Sequence, residues 1–105
     1  MTEAEDKTAK LLAALWVRNR PVVEERLATL DRAAADAAGG NLSEEVRVEA
    51  ASSAHKLAGS LGMYGFDEGT RVARELEVLL GEVAPDAVRL SGLIAELRVV
   101  IVPME

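Results

Sequence analysis

The chain has 105 residues, a formal net charge of −6 and no cysteine. Its length suits a single domain (residues 1–105). Without cysteine it forms no disulfide bond and no thiolate metal site. The acidic excess disfavours binding to nucleic acid and to an anionic membrane surface, because both are bound through clustered lysine and arginine. No apolar run is long enough to span a bilayer, and the acidic N-terminus is unlike a secretory signal, so we expect a cytoplasmic protein.

Two helices are predicted in the N-terminal third of the chain. Leucines at helical spacing place a first short helix over residues 5–18. A second helix begins at Pro21, because the first turn of a helix does not need the N–H that proline lacks, and it ends at about Ala38. The glycine pair at residues 39–40 is typical of a helix C-terminus.

A third helix follows this glycine pair. Asn41 and Glu44 match a capping box, with Ser43 as the alternative cap. This pattern predicts a helix that begins here and ends near Tyr64. Gly65 is then suited to the C-terminal cap of the same helix.

Two further helices complete the predicted fold. Asp67 caps the fourth helix, which ends near Gly81, and Pro85 marks the start of a fifth helix that stops before Pro103. Short connections favour antiparallel neighbours. The sequence therefore predicts an all-α fold, an antiparallel up-down four-helix bundle with a short N-terminal capping helix.

The lone histidine of the chain, His55, is predicted to point away from the core. On a helical wheel it lies almost opposite Leu57, which belongs to the apolar stripe of the third helix. That stripe comprises Val46, Ala50, Ser53, Leu57, Leu61 and Tyr64. The predicted neighbours of His55 on the exposed face are all small, namely Ala51, Ser52, Ala58, Gly59 and Gly62.

Glycine inside a helix needs a physical reason, because it is less favourable than alanine by ~0.8–1 kcal/mol. Helical side chains lean toward the N-terminus, so residue 59 would normally cover the turn that holds His55. Gly59 leaves the imidazole accessible to another protein. The alternative is that Gly59 permits close helix packing and that Gly62 loosens the helix end.

Histidine suits phosphoryl transfer, because neutral imidazole is a nucleophile that forms a phosphoramidate still able to transfer its phosphoryl group. Lys56 follows His55, and its flexible ammonium can approach phosphoryl oxygens as a mobile charge. Both residues also fit an ordinary solvated surface. One histidine without cysteine falls short of a zinc site, and no oxyanion loop supports a Ser-His-Asp triad.

The motif Ala54-His55-Lys56-Leu57-Ala58-Gly59, with Gly65 and Leu76-Glu77 further along, resembles the histidine phosphotransfer (HPt) family. The family pattern is roughly A-H-x-L-K-G, then a glycine ten residues after the histidine and a Leu-Glu pair in the next helix. The resemblance implies that His55 is the phosphorylated residue. At one position the chain departs from the pattern: the lysine expected three residues after the histidine is Ala58, which leaves Lys56 as the candidate phosphate-binding cation.

The resemblance implies a phosphocarrier whose partners are a response-regulator receiver domain, a histidine kinase, or both. It implies no cofactor on this chain, because the catalytic Mg²⁺ belongs to the receiver, and we expect no independent ATP-dependent kinase activity. The alternatives are a helical module that docks receivers without phosphorylation, and the phosphoacceptor segment of a larger chemotaxis-type kinase. The predicted phosphate-binding or partner-binding surface around His55 consists of Lys56, Gly59, Ser52, Ala51 and Gly62.

Overall fold

A computed structural model describes residues 2–101, and these residues form four α-helices without a β-strand. The helices are α1 (Glu3–Ala38), α2 (Glu44–Met63), α3 (Asp67–Leu80) and α4 (Ala87–Ile101). Each helix packs against the next, and α4 packs against α1, so the four helices close into a ring. Short connections make neighbours antiparallel, which confirms the predicted up-down bundle. None of the helices within residues 2–101 combines the length and the apolar character needed to cross a membrane.

The structure differs from the sequence prediction at the N-terminus, where the first two predicted helices are one continuous helix. Pro21 lies inside α1, on its exposed side. Proline in a helix interior costs ~3 kcal/mol because it removes a backbone hydrogen bond and its ring crowds the preceding turn. Packing on both sides of Pro21 offsets that cost. Trp16 before the proline and Val23 and Leu27 after it are buried on one face of α1.

Helix α2 begins at the second of the two predicted caps. The hydroxyl of Ser43 accepts a hydrogen bond from the backbone N–H of Val46 at 3.2 Å, whereas Asn41 lies outside the helix. At the other end, Tyr64 is the cap residue and Gly65 follows with a φ of +85°. Glycine adopts this left-handed conformation without the steric cost of a side chain, so Gly65 ends the helix as predicted.

Helices α3 and α4 also begin differently from the prediction. Asp67 is the first residue of α3, and Phe66 occupies the cap position without a side-chain hydrogen bond. Gly81 caps the C-terminus of α3, as expected. The carboxylate of Asp86 accepts hydrogen bonds from two backbone N–H groups in the first turn of α4, at 2.9 and 3.1 Å. The predicted stop before Pro103 lies outside the described residues.

The three aromatic residues of the chain form one cluster at the end of the bundle where α2 turns into α3. The Trp16 ring lies 5.4 Å from the Tyr64 ring and 5.1 Å from the Phe66 ring, between centroids. All three residues are buried. Aromatic side chains bury large apolar areas, so this cluster fixes α1 against the α2–α3 turn.

Small residues bring α2 and α3 into close contact. A Cβ atom added to Gly69 would lie 3.1 Å from Leu61 Cδ1, and one added to Gly62 would lie 3.2 Å from Thr70 Oγ1. The Thr70 hydroxyl donates a hydrogen bond to the backbone carbonyl of Ala58 at 3.0 Å, which ties the two helices together. This approach sets the spacing between the two helices that carry the candidate site.

Candidate functional site

His55 lies on the outer face of α2, as the helical wheel predicts. Its side chain is 73% exposed, whereas Leu57 is fully buried. The ring therefore presents a nitrogen to solvent or to a partner, and a well-packed helix holds its backbone.

The buried face of α2 is wider than the predicted stripe. Most of the stripe is buried as expected, but Ser53 is only half-buried, and Ala54 and Ala58 are buried although they lie outside it. The reason is that α2 packs against α1 on one side and α3 on the other. Ala58 therefore lies beneath the surface near His55, and the prediction that it belongs to the exposed face is wrong.

A hydrogen bond between α2 and α3 orients the imidazole. His55 Nδ1 lies 2.9 Å from Glu77 Oε2. An ionised carboxylate has no proton to donate, so the bond requires Nδ1 to carry the proton and to donate it. In the neutral ring Nε2 is then left with its lone pair. Glu77 thus selects the tautomer in which Nε2 is the nucleophilic nitrogen.

An open groove between α2 and α3 surrounds this hydrogen bond. It is lined by His55, Ala58, Gly59, Arg74, Glu77 and Val78. A Cβ atom added to Gly59 would meet no atom within 4 Å, so this glycine does not serve helix packing within the described chain. Gly59 therefore leaves the side of the groove next to His55 without a side chain.

The structure separates the other predicted residues from this groove. Lys56 and Ser52 line a different depression, between α2 and α1. Ala51 is half-buried and packs against the core. Gly62 faces Thr70 at the close approach of α2 and α3, so it has a packing role that the sequence does not indicate.

Comparison with known proteins identifies the family. The family model described as Hpt domain matches residues 4–100. The chain belongs to the Hpt domain family. Protein RcaC of Microchaete diplosiphon is 29% identical over 80 residues, which are 76% of this chain but 12% of RcaC. The chain therefore matches only a small part of that protein, and no solved structure matches it significantly.

Membership of the Hpt family assigns the chain to phosphotransfer in two-component signalling, where Hpt domains work with receiver domains and histidine kinases. The geometry is compatible with this class, since an exposed, oriented imidazole is a nucleophile with free access. Among the described residues, no cluster of three or more histidine, aspartate or glutamate side chains is arranged to hold a metal ion.

Two charged residues of the groove, Glu77 and Arg74, were not predicted as site residues. Glu77 belongs to the Leu76-Glu77 pair of the Hpt pattern, so the motif contained a signal for it, but the pattern does not say that it contacts the histidine. Arg74 carries no such signal. It is brought to the groove by the packing of α3 against α2, which no spacing within either helix reveals.

Proposed function

We propose that the chain, as a single domain over residues 1–105, carries a phosphoryl group on Nε2 of His55 in a phosphorelay. The observation that supports this most directly is the exposed imidazole, whose Nδ1 is bound to Glu77 at 2.9 Å. The donors and acceptors are the aspartates of response-regulator receiver domains, or a histidine kinase as donor. The proposed location is the cytoplasm.

The transfer step follows from the tautomer. The Nε2 lone pair attacks the phosphorus of the receiver's aspartyl phosphate, the N–P bond forms, and the P–O bond breaks with its electron pair moving to the aspartate carboxylate. No proton leaves Nε2, because the neutral ring carries its proton on Nδ1. The product ring is cationic, and the Glu77 carboxylate stabilises it through a charge-assisted hydrogen bond. Return transfer to a second receiver reverses these steps.

In this proposal, the residues around His55 leave space for the receiver and form the surface on which it docks. Gly59 leaves room beside the ring for the receiver's active site. Ser52, Ala51 and Gly62 lie on neighbouring turns of α2 and belong to the proposed partner-binding face. Lys56 is the sequence-based candidate for phosphate binding, as a mobile charge that reaches from the α1 side. The chain needs no cofactor, since the receiver provides the Mg²⁺.

The direct test is His55→Gln, with Glu45→Gln on the exposed first turn of the same helix as the matched control. Each protein is incubated with phosphorylated candidate receivers and with phosphoramidate, and acid-labile, alkali-stable phosphate is measured. We expect labelling of the parent and of Glu45→Gln, and none of His55→Gln, with equal helical circular dichroism in all three. Labelled His55→Gln would refute the proposal. An unlabelled parent that still binds receivers would indicate the docking module instead.

A further inference from the structure

The groove around His55 contains one cationic side chain among the described residues that line it, and that side chain is Arg74. Arg74 precedes Glu77 by three residues and Val78 by four, so the three lie on one face of α3. Helices α2 and α3 run antiparallel, with His55 opposite Glu77 and Gly62 opposite Thr70. This register places Arg74 across from Ala58, between those two pairs.

Nearby carboxylates are engaged elsewhere and leave Arg74 unpaired. Arg71 binds the carboxylates of Glu68, Glu75 and Glu96 at 2.7 to 3.0 Å. Glu77 accepts from His55. Within residues 2–101, Arg74 itself is exposed and has no hydrogen bond or ion pair.

Phosphorylation of His55 would change the charge of the groove. A phosphoryl group adds about −1.5 to −2 charge at neutral pH. The ring becomes cationic, but Glu77 already balances that charge across the 2.9 Å hydrogen bond. Within the groove, α2 offers the phosphoryl oxygens no counter-charge, because Ala58 has no charged group and Lys56 lines the depression on the α1 side of the helix.

We propose that Arg74 binds the phosphoryl oxygens on His55 and takes the role of the missing cation at position 58. This inference rests on the proposed phosphorylation of His55. The planar guanidinium donates several N–H groups in a fixed geometry that matches phosphate, and it stays charged at every physiological pH. Because Arg74 is unpaired before phosphorylation, it breaks no existing ion pair when it turns toward the phosphoryl group.

The test compares Arg74→Ala, Arg74→Lys and Arg32→Ala in the full chain. Arg32 is an exposed arginine on α1, which does not pack against α3, so its variant controls for the loss of one positive charge. The probe is phosphoramidate: Nε2 of His55 attacks phosphorus, the P–N bond breaks, and the nitrogen takes a proton from solvent and leaves as ammonia. Phosphohistidine is followed by ³¹P NMR in single-turnover conditions, and the guanidinium Nε–H resonance of Arg74 is followed by ¹⁵N NMR.

We expect Arg74→Ala to slow phosphorylation roughly tenfold, or about 1.4 kcal/mol in the barrier, and Arg74→Lys to recover part of the rate. Arg32→Ala should match the parent, and the Arg74 resonance should shift when the parent is phosphorylated. A normal rate in Arg74→Ala, or an unshifted resonance in the phosphorylated parent, would overturn the role of Arg74 while leaving His55 as the acceptor. Equal slowing in Arg32→Ala would also overturn it, since the change in the net charge of the protein would then explain the slower phosphorylation. Phosphorylation of His55→Gln would instead overturn the proposed function itself.

Discussion

Gly59 offers a substitution in which stability and function should move in opposite directions. It lies inside α2, four residues before the last residue of the helix, Met63, and an added Cβ atom would meet open space. Gly59→Ala should therefore raise the free energy of unfolding by the difference in helix propensity between alanine and glycine, ~0.8–1 kcal/mol. For a domain of this size each kcal/mol raises Tm by roughly 4–8 °C. The measurement is thermal unfolding followed by circular dichroism.

Gly62→Ala is the matched control, because it changes the same residue type on the same helix. Its Cβ atom would lie 3.2 Å from Thr70 Oγ1, and the Thr70 hydroxyl is already bound to the carbonyl of Ala58. Moving Thr70 would strain that hydrogen bond. The gain in Tm should therefore be smaller than for Gly59→Ala, or reversed. An equal rise in Tm for the two variants would refute the distinction between Gly59 as an open position and Gly62 as a packed one.

Bulk at position 59 should obstruct the partner. A leucine or glutamate here leans toward the N-terminus of α2 and covers the turn that holds His55. We expect Gly59→Leu and Gly59→Glu to retain or raise Tm and to slow transfer from a phosphorylated receiver at least tenfold, more than 1.4 kcal/mol in barrier. Phosphorylation by the small donor phosphoramidate should slow less, because it needs less space. Normal transfer from the receiver would show that Gly59 has no role in access.

Substitutions at two further positions, Glu77 and Lys56, test the charges near His55. Glu77→Gln should slow transfer, because glutamine can still accept the hydrogen bond from Nδ1–H but supplies no charge, and Glu77→Ala should slow it more, because alanine supplies neither. ¹⁵N NMR of the imidazole should show loss of the Nδ1–H tautomer in Glu77→Ala. An unchanged tautomer in that variant would contradict the role of Glu77. Lys56→Ala should slow single-turnover transfer by at most roughly tenfold, about 1.4 kcal/mol, and by less than Arg74→Ala, since Lys56 lines the depression on the α1 side. Lys56→Arg should recover part of that loss. A parental rate for Lys56→Ala at low salt, where screening is weakest, would identify Lys56 as a surface charge alone.

The helices and their inward faces could be predicted from the sequence because those features are periodic and local. The 3.6-residue repeat places Leu57 in the core and His55 outside it. The helix break predicted at Pro21 followed from a local rule about proline, and tertiary packing on both sides of Pro21 overrides that rule. The aromatic cluster around Trp16 joins residues nearly 50 positions apart, and no window along the chain contains that information.

The composition of the site depends on the register between α2 and α3, which a pattern within one helix does not encode. The motif around His55 specifies the acceptor and the open space beside it, but the proton on Nδ1 is fixed by Glu77 from the opposite helix. Arg74 reaches the groove for the same reason, by lying across from Ala58 rather than near it in sequence. An absent lysine in one helix can therefore be replaced by an arginine in the next.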